Sequence, residues 1–300
     1  MNCYKLETGV SKVYKITTRE DFEENIKGNK KYLCKGTDGY FRGLGICPLC
    51  DNPVRILSLY KKLENKRPYA LHCKDGNDEK LVSFNHEKYI HCPYSNPSAR
   101  QHFDKSIEKY PMTEFEKELC AAVKNNFDKI VRFILDKTDI YISKAFAKNL
   151  LEQFYLNFGF RNSETNFSNI PWIMLYCIGR FNLVGRGVKS GSSLWNYLRK
   201  RNDIKLSPFE YNHEYDRIES STGKFIILEG CFYAHTQRID GDDEVIEKIR
   251  FGVADSKDIN KDWAYKRIYS IDITEFQNFC KEINYRNQEL LDLAKDDIHL

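Results

Sequence analysis

Apolar residues recur along this chain with different periods, and the changes of period divide it into three zones. Residues 1–110 carry short apolar runs broken by turn residues. Thr18 precedes a brief helical pattern with Phe22 and Ile26 on one face, stopped by Gly28. Strand-like runs follow at Lys31–Cys34, Tyr40–Ile46, Val54–Tyr60, Tyr69–Cys73 and Leu81–Phe84, divided by Gly, Asn and Asp clusters such as Asp75-Gly-Asn-Asp.

From residue 111 to 205 the period is helical. Thr113 and Glu116 have the spacing of a capping box. Phe115, Leu119, Val123, Phe127, Ile130 and Ile134 then recur at three- and four-residue intervals, which gives one apolar face. Ser143 is placed to cap a second helix carrying Phe146, Leu150, Phe154 and Phe158. Pro171-Trp-Ile-Met-Leu-Tyr opens a third and Ser193-Leu-Trp-Asn-Tyr-Leu a fourth.

The last zone, 206–300, returns to strands. Phe225–Tyr233 is a nearly continuous apolar run, as for a strand covered on both faces. Val245–Val253 and Arg267–Ile273 are further strands, and Thr274 with Gln277 is placed to cap a closing helix through Phe276, Phe279 and Ile283, extending toward Leu290. The expected class is α+β. The expected organisation is a zinc-binding β-rich module over 1–110, a helical segment over 111–205, and an α+β segment over 206–300 packed with those helices as one domain.

Composition changes this picture little. Hydrophobic residues at 41% and aromatics at 14% of 300 residues suffice for a real core. Forty-seven basic against 43 acidic side chains leave a net charge of +4, which by itself implies no polyanionic partner. The start, Met1-Asn-Cys-Tyr-Lys, lacks the apolar stretch of a secretory signal, and no run approaches the roughly eighteen apolar residues of a membrane span. The ten cysteines are spread along the chain without such a signal, so a reducing, cytoplasmic location is expected and thiols are read as packing residues or metal ligands.

Position separates those two roles. Cys47-x2-Cys50-x22-Cys73-x18-Cys92 is the strongest chemical signal, since a Cys-x2-Cys turn presents two thiolates at the separation a tetrahedral Zn²⁺ needs. Pro48 stiffens the turn, and Asp51-Asn52 tolerates the unusual backbone angles just after it. The spacing names Cys47, Cys50, Cys73 and Cys92 as ligands of a structural zinc. His72 and His91 stand directly before two of these cysteines. Adjacent strand residues face opposite ways, so one member of each pair should ligate and the other should not. His86 is a further substitute for Cys73. The set Cys47-Pro-Leu-Cys50, Phe84-Asn-His86 and Cys92 resembles the zinc module at the front of competence-type CoiA proteins, a resemblance confined to residues 47–92 that implies a nuclease-related role. The chain departs from that pattern in its long spacing before Phe84 and in Cys73, which has no counterpart.

Charge is segregated further along. Residues 180–205 hold Arg180, Arg186, Lys189, Arg199, Lys200, Arg201 and Lys205 against the single acid Asp203, with Phe181, Trp195 and Tyr197 interleaved. Cations neutralise phosphates and aromatic faces stack bases, so Arg186, Lys189, Arg199, Lys200 and Arg201 are the expected contacts to DNA or RNA. Trp195 and Tyr197 lie two apart, so one is expected to pack inward and the other to remain available for stacking. Residues 206–247 have the opposite sign, with ten acids against three cations.

Candidate catalytic groups are fewer. Glu229 lies inside an apolar run, where a buried carboxylate would be perturbed in the way active-site acids often are. Asp255-Ser-Lys257 after a strand matches the acid-x-Lys element of Mg²⁺-dependent nucleases, but Glu64-Asn-Lys66 and Asp78-Glu-Lys80 match it equally. His235 is a possible general base. The leading expectation is therefore a zinc-binding protein that binds nucleic acid. The alternatives are a metal-dependent nuclease or related hydrolase using Glu229, Asp255 and Lys257 with Mg²⁺, and a non-catalytic zinc-containing adaptor.

Overall fold

A computed structural model describes residues 1–36, 38–61, 67–73, 80–90, 92–95, 111–162, 164–239, 244–255 and 263–296. The N-terminal part is built on one antiparallel sheet. Its strands are β1 (Cys3–Lys5), β2 (Val13–Lys15), β3 (Leu33–Lys35), β4 (Phe41–Ile46), β5 (Pro53–Leu57) and β6 (Tyr69–His72), in the order β2-β1-β4-β5-β6 with β3 also paired to β4. Helix α1 (Arg19–Asn25) is capped by Thr18 and ends where Lys27 and Gly28 adopt positive φ. Its Phe22 is buried, and a Cβ on Gly43 of β4 would come within 2.9 Å of that ring, so the helix packs against the sheet at a glycine. Leu81–Phe84, read as a strand from its composition, is instead an irregular lead-in to the short helix α2 (His86–Ile90).

The central helices follow the apolar stripe. α3 (Glu114–Lys137) starts at Thr113, where both halves of the capping box form: Glu116 N–H donates to Thr113 Oγ1 at 3.2 Å and Thr113 N–H to Glu116 Oε2 at 2.8 Å. All six stripe residues from Phe115 to Ile134 are buried. Asn126 departs from helical geometry and its amide donates to the Ala122 carbonyl, which marks a kink. Removing the cap with Thr113→Ala should lower unfolding free energy by about 1 kcal/mol in urea denaturation, with little change in m-value. α4 (Lys144–Leu156) is capped by Ser143 and stops before Phe158, whose φ of 49° is left-handed. α5 (Ile170–Cys177) follows.

The stretch after α5 is less helical than its sequence suggests. β7 (Arg180–Asn182) and β8 (Gly187–Lys189) precede α6 (Ser193–Arg199), then β9 (Ile204–Pro208) and β10 (Tyr215–Ser220). β8, β10 and β9 form a small antiparallel sheet in that order. β7 joins the larger C-terminal sheet of β11 (Glu229–Ile239), β12 (Val245–Ala254) and β13 (Tyr265–Ile271), ordered β13-β12-β11-β7. The apolar run Phe225–Tyr233 is not one covered strand, since Phe225 is 87% exposed and β11 begins only at Glu229. α7 (Glu275–Glu282) and α8 (Gln288–Asp296) complete the chain. Thr274 and Gln277 form no cap: the Thr274 hydroxyl donates to Asp272, and Gln277 is fully buried with its amide bonded elsewhere.

β11 contains a bulge that decides what its second half presents. Ala234 has φ 49°, and the register to β12 slips between Tyr233 and Thr236. Before the bulge Gly230 and Phe232 face the core, and after it His235 and Gln237 turn inward. The core formed by α3, α4, α5 and the C-terminal sheet is one apolar cluster. The N-terminal sheet has its own, joined by Ile273 from beyond β13.

Polar contacts tie the two together. Asn278 of α7 pairs with both backbone groups of Val13, accepting at 2.6 Å and donating at 3.0 Å, as a strand neighbour would. Gln277 Nε2 donates to the Pro48 carbonyl at 2.9 Å and to Ser168 Oγ at 2.7 Å.

Candidate metal centre

The turn between β4 and β5 carries Cys47-Pro-Leu-Cys50-Asp-Asn. It closes through Asp51 N–H to Cys47 O at 3.1 Å and Cys47 N–H to Asn52 O at 2.8 Å, with Asp51 at φ 59°. That left-handed residue is the tolerance anticipated for Asp51-Asn52. Asp51 also forms a fully buried ion pair with Lys5 of β1 and accepts from Gly9 N–H at 2.7 Å, so the turn is braced against the sheet from below. Both cysteines are completely buried.

The end of β6 and the turn after α2 supply two further side chains. Sγ of Cys47, Cys50 and Cys92 and a ring nitrogen of His72 all lie within 4.8 Å of one another. Cys47 Sγ is 3.7 Å from Cys92 Sγ, and Cys50 Sγ is 3.4 Å from His72 Nε2. Zn–S bonds of about 2.3 Å and Zn–N bonds of about 2.0–2.1 Å at tetrahedral angles require edges of about 3.8 Å between sulfurs and about 3.6 Å from sulfur to nitrogen. These two edges match within a few tenths of an ångström and all four atoms lie within 4.8 Å of one another, so the donor set fits a four-coordinate metal such as zinc.

Burial pushes the Cys47 thiol up, but hydrogen bonds from Cys50 and Cys92 and the neighbouring His72 outweigh it and hold Cys47 well below the ordinary thiol range. Burial, reinforced by the Cys47 charge, pushes Cys50 and Cys92 well above it. Without a metal, one thiolate forms at the expense of the other two. Three buried thiolates need a compensating cation.

The fourth member is His72, where the cysteine spacing names Cys73. Strand alternation explains the choice. His72 is the last residue of β6 and points to the Cys47–Cys50 turn, whereas Cys73 points away with its thiol toward the Leu71 carbonyl at 3.8 Å. His86, the other substitute, is the first residue of α2 and lies outside the group, its ring 6.4 Å from Tyr89. His91 falls outside the described residues. Asn52 holds the ligand turn to α2: its amide donates to Cys50 Sγ at 3.4 Å and its oxygen accepts from Asn85 N–H at 2.7 Å, at the start of the helix. Nothing in the spacing singled out Asn52.

The basic stretch is only partly available to a ligand. Arg201 is held by Asp203 at 2.7 Å and Asp255 at 3.2 Å, and the Asp203 hydrogen bond is the main reason its basicity is raised. It is a structural cation of the β9 end. Arg186 lies over Phe146 at 3.8 Å, half-buried, and Arg199 lies over Trp195 at 5.1 Å. Lys189, Arg199, Lys200 and Lys205 are exposed, and among the described residues none of them pairs with a carboxylate. Neither ring of the expected stacking pair is left free. Trp195 Nε1 donates to Asp216 at 2.6 Å, and Tyr197 packs on Tyr265 while accepting from Arg201.

The nuclease candidates do not assemble into a metal site among the described residues. The β11–β12 ladder sets Glu229 opposite Ala254, beside Asp255. Glu229 pairs with Arg180 at 3.4 Å and Asp255 with Arg201. Lys257 lies outside the described residues, as do Glu64-Asn-Lys66 and the acids of Asp78-Glu-Lys80.

A buried polar group that the spacing did not predict surrounds His235. Its side chain is 2% exposed, with Nδ1 2.7 Å from Glu164 and Nε2 2.6 Å from Glu247. Glu247 also accepts from Asn169 at 2.7 Å and Gln237 at 2.9 Å. Burial lowers the basicity of His235, but the two carboxylates outweigh it and raise its pKa to about 9.

No family model, curated protein or solved structure matches the chain. Among the described residues no helix is long and apolar enough to cross a membrane.

Proposed function

We propose that the chain is a zinc-stapled α+β protein that binds nucleic acid, with zinc held by Cys47, Cys50, His72 and Cys92 in a structural role. The observation that carries the zinc reading is the closeness of these four ligand atoms, all within 4.8 Å of one another. A site closed by four protein ligands leaves no position for a substrate or an activated water, so the metal would stabilise the module and perform no chemistry.

What supports nucleic-acid binding is the set of exposed cations on the β8–α6–β9 unit: Lys189, Arg199, Lys200 and Lys205. Among the described residues none of these is held in an ion pair, and cations not so held are free to displace counterions from phosphates. The nuclease alternative gains no comparable support, because Glu229 and Asp255 are each occupied by an arginine.

The test is fluorescence anisotropy with short labelled DNA and RNA strands. Arg199→Glu with Lys200→Glu should weaken binding at least tenfold at low salt, and affinity should fall steeply as salt rises. Arg201 is unsuitable for this test, because reversing it would set a third acid beside Asp203 and Asp255. Absence of wild-type binding to either strand would end the nucleic-acid reading and leave the zinc reading intact.

A further inference from the structure

A groove of about 500 Å³ lies where the start of α4 meets the β7–β8 turn and the β9–β10 turn. Its wall includes Tyr141, Ser143, Arg186, Glu210, Tyr211 and Arg217. Three features of this groove call for a ligand that is both anionic and planar.

The first is Arg186. Its guanidinium sits over Phe146 at 3.8 Å and Phe181 at 5.6 Å, and its Nε donates to the Asn182 carbonyl at 2.6 Å. Among the described residues no carboxylate pairs with it. A half-buried cation gains from rings beneath it but still lacks a counter-charge. The second is Arg217, whose ion-pair partner among the described residues, Glu219, stands 3.9 Å away with both groups well exposed, too loose to neutralise it. Beside both lies the amino end of α4, a helix of 13 residues, where the first-turn N–H groups add positive potential.

The third feature is aromatic. Tyr211 is 71% exposed, yet its ring is held edge-on against Phe209 at 5.3 Å, and Phe209 is held in turn by Tyr141 at 5.0 Å. Gly187 makes that stack possible, since a Cβ there would meet both Phe209 and Tyr141 at 3.0 Å. An exposed ring on a fixed support is a stacking platform that loses little entropy on binding.

We infer that this groove seats one nucleotide of a single strand, its phosphate between Arg186 and Arg217 and its base on Tyr211. Glu210 on the same wall disfavours a second phosphate there and accepts hydrogen bonds from a base amino group or a sugar hydroxyl. A duplex does not suit the groove, because its bases are already stacked on one another. The inference rests on the nucleic-acid reading above and assigns its strand-gripping site to residues distinct from the exposed cations Arg199 and Lys200.

The experiment keeps the two apart. Tyr211→Ala and Arg217→Gln alter exposed side chains, so both proteins should fold. Each should weaken binding of a short labelled single strand about tenfold, with a much smaller effect on a duplex of the same sequence. A Tyr211→Trp protein should show indole fluorescence quenching when the unlabelled strand is added. If the wild type binds and Arg199→Glu with Lys200→Glu weakens it, but Tyr211→Ala and Arg217→Gln leave single-strand affinity unchanged, the groove is overturned and nucleic-acid binding stands. If the wild type binds no strand, both fall.

Discussion

Glu247→Ala should lower unfolding free energy by about 3–5 kcal/mol, the range for removing one partner of a buried charge pair. Glu247 is fully buried on the inner face of β12, and three donors converge on it: His235 Nε2, Asn169 Nδ2 and Gln237 Nε2. Truncation removes that acceptor from all three donors and leaves the imidazolium with one carboxylate, the part-exposed Glu164, in place of two. The wild type should also carry a pH signature. The folded-state pKa of His235, about 9, lies above its ordinary value of 6.5, so the stabilisation is fully present below pH 6.5. It is lost progressively as pH rises toward 9, and the difference corresponds to roughly 3 kcal/mol. The cysteines also titrate in alkali, so the informative quantity is wild type minus His235→Gln in urea denaturation at pH 6 and pH 9. That difference should shrink as pH rises. A constant or growing difference would show that His235 is not charged in the folded protein.

The other large effect concerns the metal module. Cys50→Ser, or prolonged chelation of the wild type, should unfold the N-terminal sheet while much of the main core survives. The two parts have separate apolar clusters, and structural zinc contributes about 10–16 kcal/mol of apparent binding free energy in isolated zinc-finger peptides. Hydrogen exchange should show protection lost at Leu44, Val54 and Ile56 and retained at Phe127 and Ile130. Cys120→Ser and Cys177→Ser, far from the turn in sequence and outside the ligand group, should leave that pattern unchanged. Uniform loss of protection across both clusters on chelation would mean that the module and the core fold only as one unit.

Much of the architecture was legible because its signals are local. Caps at Thr18, Thr113 and Ser143, the stripe from Phe115 to Ile134, and the Cys47–Cys50 turn each depend on residues within a few positions of one another. What the sequence concealed depends on long-range pairing. The choice of His72 over Cys73 turns on where β6 ends and which face it gives to β5. β7 and β8 are three residues long, too short to show a period against the surrounding helical pattern. The Ala234 bulge, invisible in composition, reverses the alternation of β11 and turns His235 inward. One sign of that buried group was available. Glu247 shares the phase of Ile249 and Phe251, so an acid stood on the apolar face of a predicted strand. Arg201, grouped by its neighbours in sequence with the expected nucleic-acid contacts, is claimed by Asp203 and by Asp255, which lies fifty-four positions away.

Metal analysis of freshly prepared, chelator-free protein tests the central assignment most directly, with His72→Ala and Cys73→Ser measured beside the wild type. The four-ligand site predicts about one zinc per chain in the wild type and in Cys73→Ser, and a marked loss of zinc in His72→Ala. A wild type without zinc, or zinc lost from Cys73→Ser but kept by His72→Ala, would contradict it.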